Sequence, residues 1–472
     1  MDIEESINLT DKTNIPLKRV LGLLTSILLV AGIMIGSGVF KKIAPMAASG
    51  LSQKYLIAAW VVAGVITMFG AFIIAGLSNL TVESGGQYEY LRMAFGGFMS
   101  FLFGWTSFTI IGSASVAALA FIFAQSVNGL LPLYNPFHDL SSVSIVNFIY
   151  PFASSGVKIL AIITIILLTW VNYRGTKKGA SLNSFLTWLK VAGILFLIAL
   201  GLFFSNNTQE VAASTIINKF SNTAMYTAFF GALLSAFWAY DGWADLAYVT
   251  GEVKNPKKNI PVAIITGVGI VMIMYVLVNY AYMKTLSLPE LASTGENNIA
   301  ASAVAQKIIG HNGVILVSIL IMFSTLGALN AVIFFYPRLY YKMAKENSFF
   351  KSTAKVHPVY RTPYVALIYV MIWSAVLVLS GTFDMLTDMI IFSGFFFYVL
   401  LAWALIRMKR NGTIKAKVIG YPFVPLFIIL FATALLVNTI YIQPKQTLFG
   451  IGLMLSGVPF YYYFKRQSTF PK

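Results

Sequence analysis

Residues 32–40 read Gly-Ile-Met-Ile-Gly-Ser-Gly-Val-Phe, and they stand in the middle of an apolar run that extends from about residue 21 to residue 47. A run of this length can cross the hydrocarbon core of a membrane as a helix. Three glycines and a serine weaken that helix at its centre, because glycine admits backbone conformations that other residues avoid. The stretch therefore predicts a membrane helix that is broken near its middle.

A second apolar run, 223–249, is interrupted in the same way by Trp238-Ala239-Tyr240-Asp241-Gly242-Trp243. Unwound backbone at membrane depth is tolerated only where it lines a cavity or is buried in protein. Close packing against a neighbouring helix would explain Gly32 and Gly36, which are four residues apart. It does not explain the consecutive Gly36-Ser37-Gly38, whose free amides would make an anion site at the start of a half-helix.

Composition places the whole chain in a membrane. Of its 472 residues, 58% are hydrophobic and 10% are charged, and the mean hydropathy is +0.79. Soluble domains carry about 25% charged residues, so a soluble enzyme, a disordered chain and a secreted disulfide scaffold are excluded. We predict an all-α polytopic membrane protein with twelve transmembrane helices, near residues 21–47, 56–80, 98–129, 157–172, 185–204, 223–249, 261–283, 313–337, 363–381, 384–406, 422–442 and 447–464.

The basic excess of the chain fits membrane topology better than nucleic-acid binding. The sequence has 33 Lys and Arg against 16 Asp and Glu, a net charge of +17. If both termini are cytoplasmic, the inside segments hold three times as many basic residues as the outside segments, which is the positive-inside pattern. Residues 1–20 are polar and lack the apolar segment of a signal peptide, so we expect a short cytoplasmic tail.

The sequence offers no sign of catalysis. It has no catalytic triad, no zinc-protease motif and no phosphate-binding loop, so we predict no enzyme activity, no cofactor and no nucleotide-driven pump. It has no cysteine, and its three histidines, His138, His311 and His357, fall in loops or at span ends, so no metal site is expected. Broken helices five spans apart instead suggest two inverted five-helix repeats, 21–204 and 223–406, with helices 11 and 12 (422–464) appended, in one transporter domain.

Several motifs together resemble the amino acid–polyamine–organocation superfamily, near the L-type amino acid transporters and their bacterial relatives. Residues 32–40 resemble the first-helix motif, and Ser84-Gly85-Gly86-Gln87-Tyr88-Glu89-Tyr90 resembles the loop after helix 2. Tyr240-Asp241-Gly242-Trp243 with the following Glu252-Val253-Lys254-Asn255-Pro256 resembles helix 6 and its loop. The segment that links helices 8 and 9 is similar as well, in Arg338-Leu339-Tyr340, His357-Pro358 and Arg361-Thr362-Pro363.

The resemblance implies the leucine-transporter fold and alternating access. It implies that amides around Gly36, Ser37 and Gly38, beside Met34, hold the substrate carboxylate. It also implies that carbonyls around Trp238, Ala239 and Asp241 meet the amino group, with Trp238 as an aromatic gate. This chain departs from the family where Ala244 and Ala247 replace asparagines and where Asp245 adds an acid. Without cysteine no disulfide-linked heavy subunit is expected, which favours a self-sufficient bacterial transporter.

Two charged residues inside predicted spans each have two interpretations. Lys190 could snorkel to the cytoplasmic interface, or it could serve as a buried cation; the resemblance implies that it replaces the ion of sodium-coupled relatives. Carbonyls freed by the broken first helix, around residues 31–35, are its expected partners. Asp241 could cap a half-helix, or it could contact the cationic side chain of a substrate.

These observations predict a sodium-independent amino acid exchanger in the plasma membrane, with both termini cytoplasmic. A proton-coupled symporter in which Lys190 titrates is the alternative within transport. A channel or transporter-like sensor is an alternative of another class, although a pore needs repeated polar rings and the polar residues here concentrate at two helix breaks.

Overall fold

A computed structural model describes residues 19–145, 150–204, 222–294, 299–380 and 383–469. Most of the predicted cytoplasmic tail lies outside these ranges. Within them the chain is helical, with one isolated parallel bridge between Leu21 and Val253. The prediction of an all-α protein is therefore confirmed.

Over the ranges that the structure describes, the chain forms nineteen α-helices, several of which are segments of one interrupted span. In chain order they are α1 Leu23–Met34, α2 Gly38–Lys41, α3 Ile43–Ala48, α4 Gln53–Leu77, α5 Gln87–Phe95, α6 Gly97–Thr106, α7 Gly112–Leu130, α8 Ser155–Tyr173, α9 Thr176–Phe203, α10 Asn222–Tyr240, α11 Pro256–Thr285, α12 Leu288–Ser293, α13 Ala300–Ile309, α14 His311–Lys345, α15 Tyr364–Ser380, α16 Phe383–Arg410, α17 Phe423–Ile442, α18 Pro444–Leu455 and α19 Gly457–Thr469. A π-helical turn, Ser107–Ile111, joins α6 to α7, and a 3-10 helix, Asp245–Glu252, follows α10.

The helices agree with a polytopic membrane protein. In the described ranges, nine helical spans are long and apolar enough to cross a membrane, and the bent unit formed by α1 and Gly38–Ala48 makes a tenth. The other two predicted spans coincide with α10, where the helix stops at the second break, and with α15, which has 17 residues. The count of twelve and the inverted repeat remain predictions.

The first helix lies at the centre of the bundle, where it packs against α9, α11 and α14. Glycine is required for part of this packing. A Cβ atom on Gly32 would lie 2.3 Å from the hydroxyl oxygen of Thr187 on α9, so only hydrogen fits there. Close packing thus accounts for Gly32, whereas the nearest neighbours of a Cβ on Gly36 would be 3.4 Å away, at an ordinary contact distance.

The segment after the second break is anchored to the start of the first helix. The amides of Val20 and Leu21 both donate to the carbonyl of Glu252, and the amide of Lys254 donates to Leu21. The Glu252 carboxylate forms a 2.7 Å ion pair with Arg338 of α14, and both side chains are buried. This contact holds the 3-10 helix Asp245–Glu252 against α14. Removing one partner would be destabilising, because it would leave a buried charge without compensation.

Candidate functional site

The first break lies between α1 and α2. Helical geometry ends at Met34 and resumes at Gly38, and the two helical parts are bent by 40°. Ile35, with φ −75° and ψ 78°, has left the helical region, and the Gly36 amide donates back to the Met34 carbonyl. The predicted break is therefore present at the glycine- and serine-containing stretch.

Three neighbouring helices supply hydrogen bonds to the carbonyls at this break. The Lys190 ammonium of α9 donates to Gly32 at 2.6 Å, and the Tyr275 hydroxyl of α11 donates to Met34 at 2.6 Å. The Ser324 hydroxyl of α14 lies within 3.1 Å of the Ile35 carbonyl and 3.3 Å of the next one. Unpaired carbonyls are costly in a dry interior, so these donors stabilise the unwound backbone.

Lys190 is fully buried, so its ammonium does not reach the membrane interface as the snorkelling alternative required. Space for its side chain is provided by Gly327 of α14. A Cβ atom at Gly327 would lie 2.7 Å from Cε and 3.0 Å from Nζ of Lys190. The lysine thus lies between the first helix and α14 and links both to α9.

The second break follows Tyr240, the last residue of α10. Gly242 has φ +91°, a left-handed conformation that glycine adopts without strain, and the 3-10 helix begins at Asp245. The residue before it, Ala244, is the N-cap and provides no side-chain hydrogen bond. The Asp241 carboxylate accepts a hydrogen bond from the Tyr398 hydroxyl of α16 at 3.4 Å, and both interpretations of Asp241 remain predictions.

The two breaks touch each other through their glycines. A Cβ atom on Gly38 would lie 2.6 Å from the Cα atom of Ala239, and one on Gly242 would lie 2.7 Å from the Ile33 side chain. Neither position has room for a side chain unless the two broken helices separate. These glycines therefore allow the two unwound segments to meet at the centre of the bundle.

One cavity lies where the breaks meet, and six of the predicted substrate-binding residues line it: Met34, Gly36, Ser37, Gly38, Trp238 and Asp241. Ala239 does not line it but packs against Gly38. Lys190 does not line it either and donates to the Gly32 carbonyl of the first break. The Ser37 hydroxyl is 1% exposed and makes no hydrogen bond. With a volume of about 30 Å³, the cavity has room for about two water molecules, so an amino acid requires it to widen.

Three polar residues near the breaks were not assigned a role from the sequence. Tyr275 and Ser324 stand in apolar helices, where tyrosine and serine are common, so nothing marked them as partners of the first break. Asp245 was noticeable as an acid in a predicted span. The structure places it 4% exposed, on the wall of the same cavity as Asp241.

The fold and the site together define a helical membrane transporter with two broken helices around a central cavity. The chain belongs to the amino acid permease family, which it matches over residues 21–462. It is similar to the serine/threonine exchanger SteT of Bacillus subtilis, with 31% identity over 96% of this chain and 98% of the relative. It is 28% identical to the mouse b(0,+)-type amino acid transporter 1, over 98% and 91% of the two chains. It is 29% identical to the human cystine/glutamate transporter, over 95% and 86%.

Proposed function

We propose that this protein is a sodium-independent secondary transporter that exchanges amino acids by alternating access. The observation that carries the proposal is the central cavity, which joins the start of the α2 half-helix to the partly buried carboxylate of Asp241. An amino acid is a zwitterion, so it needs an anion site and a cation site close together. Ser37 and Gly38 at the α2 terminus serve the first need, and Asp241 with the carbonyls of the second break serves the second.

Each predicted residue then has a role in binding. The amides and hydroxyl at residues 36–38 hold the substrate carboxylate, and Met34 borders it. Backbone carbonyls from Trp238 to Asp241 accept the amino group, and the Trp238 side chain closes over the substrate. Asp241 lies where it can also meet a cationic substrate side chain. Ala239 contributes backbone, because its side chain packs against Gly38.

Sodium independence rests on Lys190. Its ammonium holds a carbonyl of the first break from α9, at the place where a bound cation would otherwise connect the two elements. Because the ammonium group belongs to a side chain of the protein, no bound sodium ion is needed at this place. We therefore expect uptake by the purified protein to be the same in sodium and in choline buffers, and a requirement for sodium would contradict this role.

The similarity to SteT, which is named as an exchanger, supports exchange over proton-coupled uptake. In proteoliposomes, internal substrate should stimulate uptake of the labelled substrate, and alanine-for-alanine exchange should vary little between about pH 6 and 8, because exchange of one alanine for another transfers no net proton. Acidification of vesicles by external substrate, with no internal substrate, would instead identify a symporter that uses Lys190. Flux without saturation or trans-stimulation would identify a channel.

We further propose that the protein resides in the plasma membrane with both termini cytoplasmic and works without a disulfide-linked subunit. The distribution of basic residues supports the orientation, and the absence of cysteine from the sequence supports the lack of such a subunit. The substrate is best identified by competition of all twenty amino acids against labelled alanine in proteoliposomes that contain this chain alone. Failure of every amino acid to compete would contradict the proposed function.

A further inference from the structure

We propose that Asp245 and Asp241 form a two-carboxylate subsite that exchanges a shared proton for the terminal cation of a basic amino acid. Lysine-for-alanine exchange would then move no net charge. This inference rests on the proposed exchange function and deepens it, because it adds a specificity residue and a proton to the transport cycle.

Asp241 and Asp245 lie on the walls of the same cavities. They are four residues apart on either side of the turn in the second break, and both line the cavity between the breaks. Both also line a second cavity, which continues from there towards Gln87 and Tyr248. The pair therefore stands at the junction of two cavities, one of which Ser37 also lines.

The partners of the pair are hydroxyl groups rather than cations. Tyr398 donates to Asp241 at 3.4 Å, and Tyr336 donates to Asp245 at 3.5 Å. Tyr248 and Tyr340 are the other titratable side chains that face Asp245. Among the residues that the structure describes, no lysine, arginine or histidine forms an ion pair with either carboxylate.

A ligand is also indicated independently by Ser37. Its buried hydroxyl has no hydrogen-bond partner and lines the same cavity, although buried hydroxyls are normally paired. An amino acid that is bound here supplies the missing partner with its carboxylate. Its side chain then points along the cavity towards the two aspartates.

Electrostatics links occupancy of this subsite to a proton. The two carboxylates line the same small cavity and have no ion-pair partner among the described residues, so repulsion between their charges favours a state in which the pair holds one proton. When a lysine side chain enters, its ammonium supplies the positive charge and the proton leaves to the same aqueous side. The pair plus its ligand side chain therefore carries one negative charge with either a neutral or a basic substrate.

One transport cycle moves one positive charge in each direction. Lysine binds from outside, and the shared proton is released outside. After lysine dissociates inside, alanine binds and the pair takes a proton from inside. Alanine and that proton then move outwards, so one positive charge enters with lysine and one leaves as the proton.

The test uses proteoliposomes that contain internal alanine and a pH-sensitive dye. Adding external lysine should make the lumen more alkaline, by about one proton per lysine, and a potassium diffusion potential should not change the rate of lysine uptake. Alanine-for-alanine exchange should leave the internal pH constant. Potential-dependent lysine uptake without a pH change in the native protein would overturn the proposal, whatever any variant does.

Substitutions of Asp245 test whether its carboxylate holds the shared proton. In Asp245→Asn the protons moved per lysine should fall towards zero and lysine uptake should become potential-dependent, whereas Asp245→Glu should restore the native ratio. Asp139→Asn, which alters a fully exposed loop carboxylate, should keep that ratio. If alanine exchange occurs but lysine is not accepted, only this inference fails; if alanine exchange itself is absent, the proposed function fails with it.

Discussion

The two helix breaks look alike in sequence but are stabilised differently. At the first break, side chains from α9, α11 and α14 donate to the freed carbonyls, and one donor is a buried ammonium. At the second break the polar side chains are carboxylates, the partly buried Asp241 and the buried Asp245, and tyrosine hydroxyls donate hydrogen bonds to them. The freed carbonyls of the first break are thus paired by donors of the protein and need no bound cation. The second break presents negative charge to the cavity.

This difference assigns separate tasks to the two unwound segments. A break with internal donors can keep its shape while the substrate changes, so it suits the part common to every amino acid, the carboxylate. A break with acidic side chains interacts differently with neutral and with basic substrates, so it suits discrimination between them. The close packing of Gly38 against Ala239 brings the two segments into contact.

Among the substitutions that remove a hydrogen-bonding side chain, Lys190→Ala should have the largest effect, since it removes the only charged donor to the carbonyls of the first break among the contacts described above. Hydrogen bonds to charged groups contribute about 1.5–3 kcal/mol, so we expect transport to fall on the order of 10- to 100-fold. Uptake kinetics and thermal unfolding of the purified protein should be measured together. Lys190→Met is the matched control for side-chain volume and should be equally impaired. Unchanged transport in both variants would contradict the role of the ammonium.

The contact between the breaks can be tested with two glycines in one motif. Gly38→Ala places a methyl group 2.6 Å from the Ala239 backbone, and overpacking of about 1–3 kcal/mol predicts a loss of roughly 5- to 100-fold in uptake. Gly38→Val should abolish transport. Gly36→Ala is the control, because its nearest contacts, Leu119 and Ala328, lie at 3.4 and 3.5 Å. Equal activity of Gly38→Ala and Gly36→Ala would show that the breaks can separate freely.

The sequence was sufficient to place both breaks, because glycine and a carboxylate within apolar runs are conspicuous there. It also indicated Lys190, whose charge needs a partner at that depth. It could not reveal Tyr275 and Ser324 as partners, since their role depends on which helices surround α1. Nor could it separate packing from binding at Gly38, because the close approach of Ala239 is a property of the tertiary structure.

The charge difference between the breaks predicts a substrate-dependent effect of Asp241→Asn. A basic side chain loses a charged partner, so lysine uptake should fall by on the order of tenfold or more. Alanine uptake should change less, since the carbonyls of the second break still hold its amino group and its side chain has no charge to pair with the carboxylate. The ratio of lysine to alanine uptake at equal protein amounts measures this difference. Equal losses for both substrates would indicate that Asp241 supports the break itself.

The smallest effect should come from a neutral donor at the first break. Ser324→Ala removes a hydroxyl that donates to buried carbonyls, and a neutral hydrogen bond contributes about 0.5–1.5 kcal/mol, so we expect roughly a 2- to 10-fold loss of uptake. Ser113→Ala is the matched control, because the Ser113 hydroxyl is also fully buried but has no hydrogen-bond partner. It should leave uptake unchanged. The loss in Ser324→Ala should be the same for lysine and for alanine, since the carbonyls it serves lie at the break that does not distinguish side chains. A selective loss of lysine uptake in Ser324→Ala would mean that the two breaks do not divide these tasks.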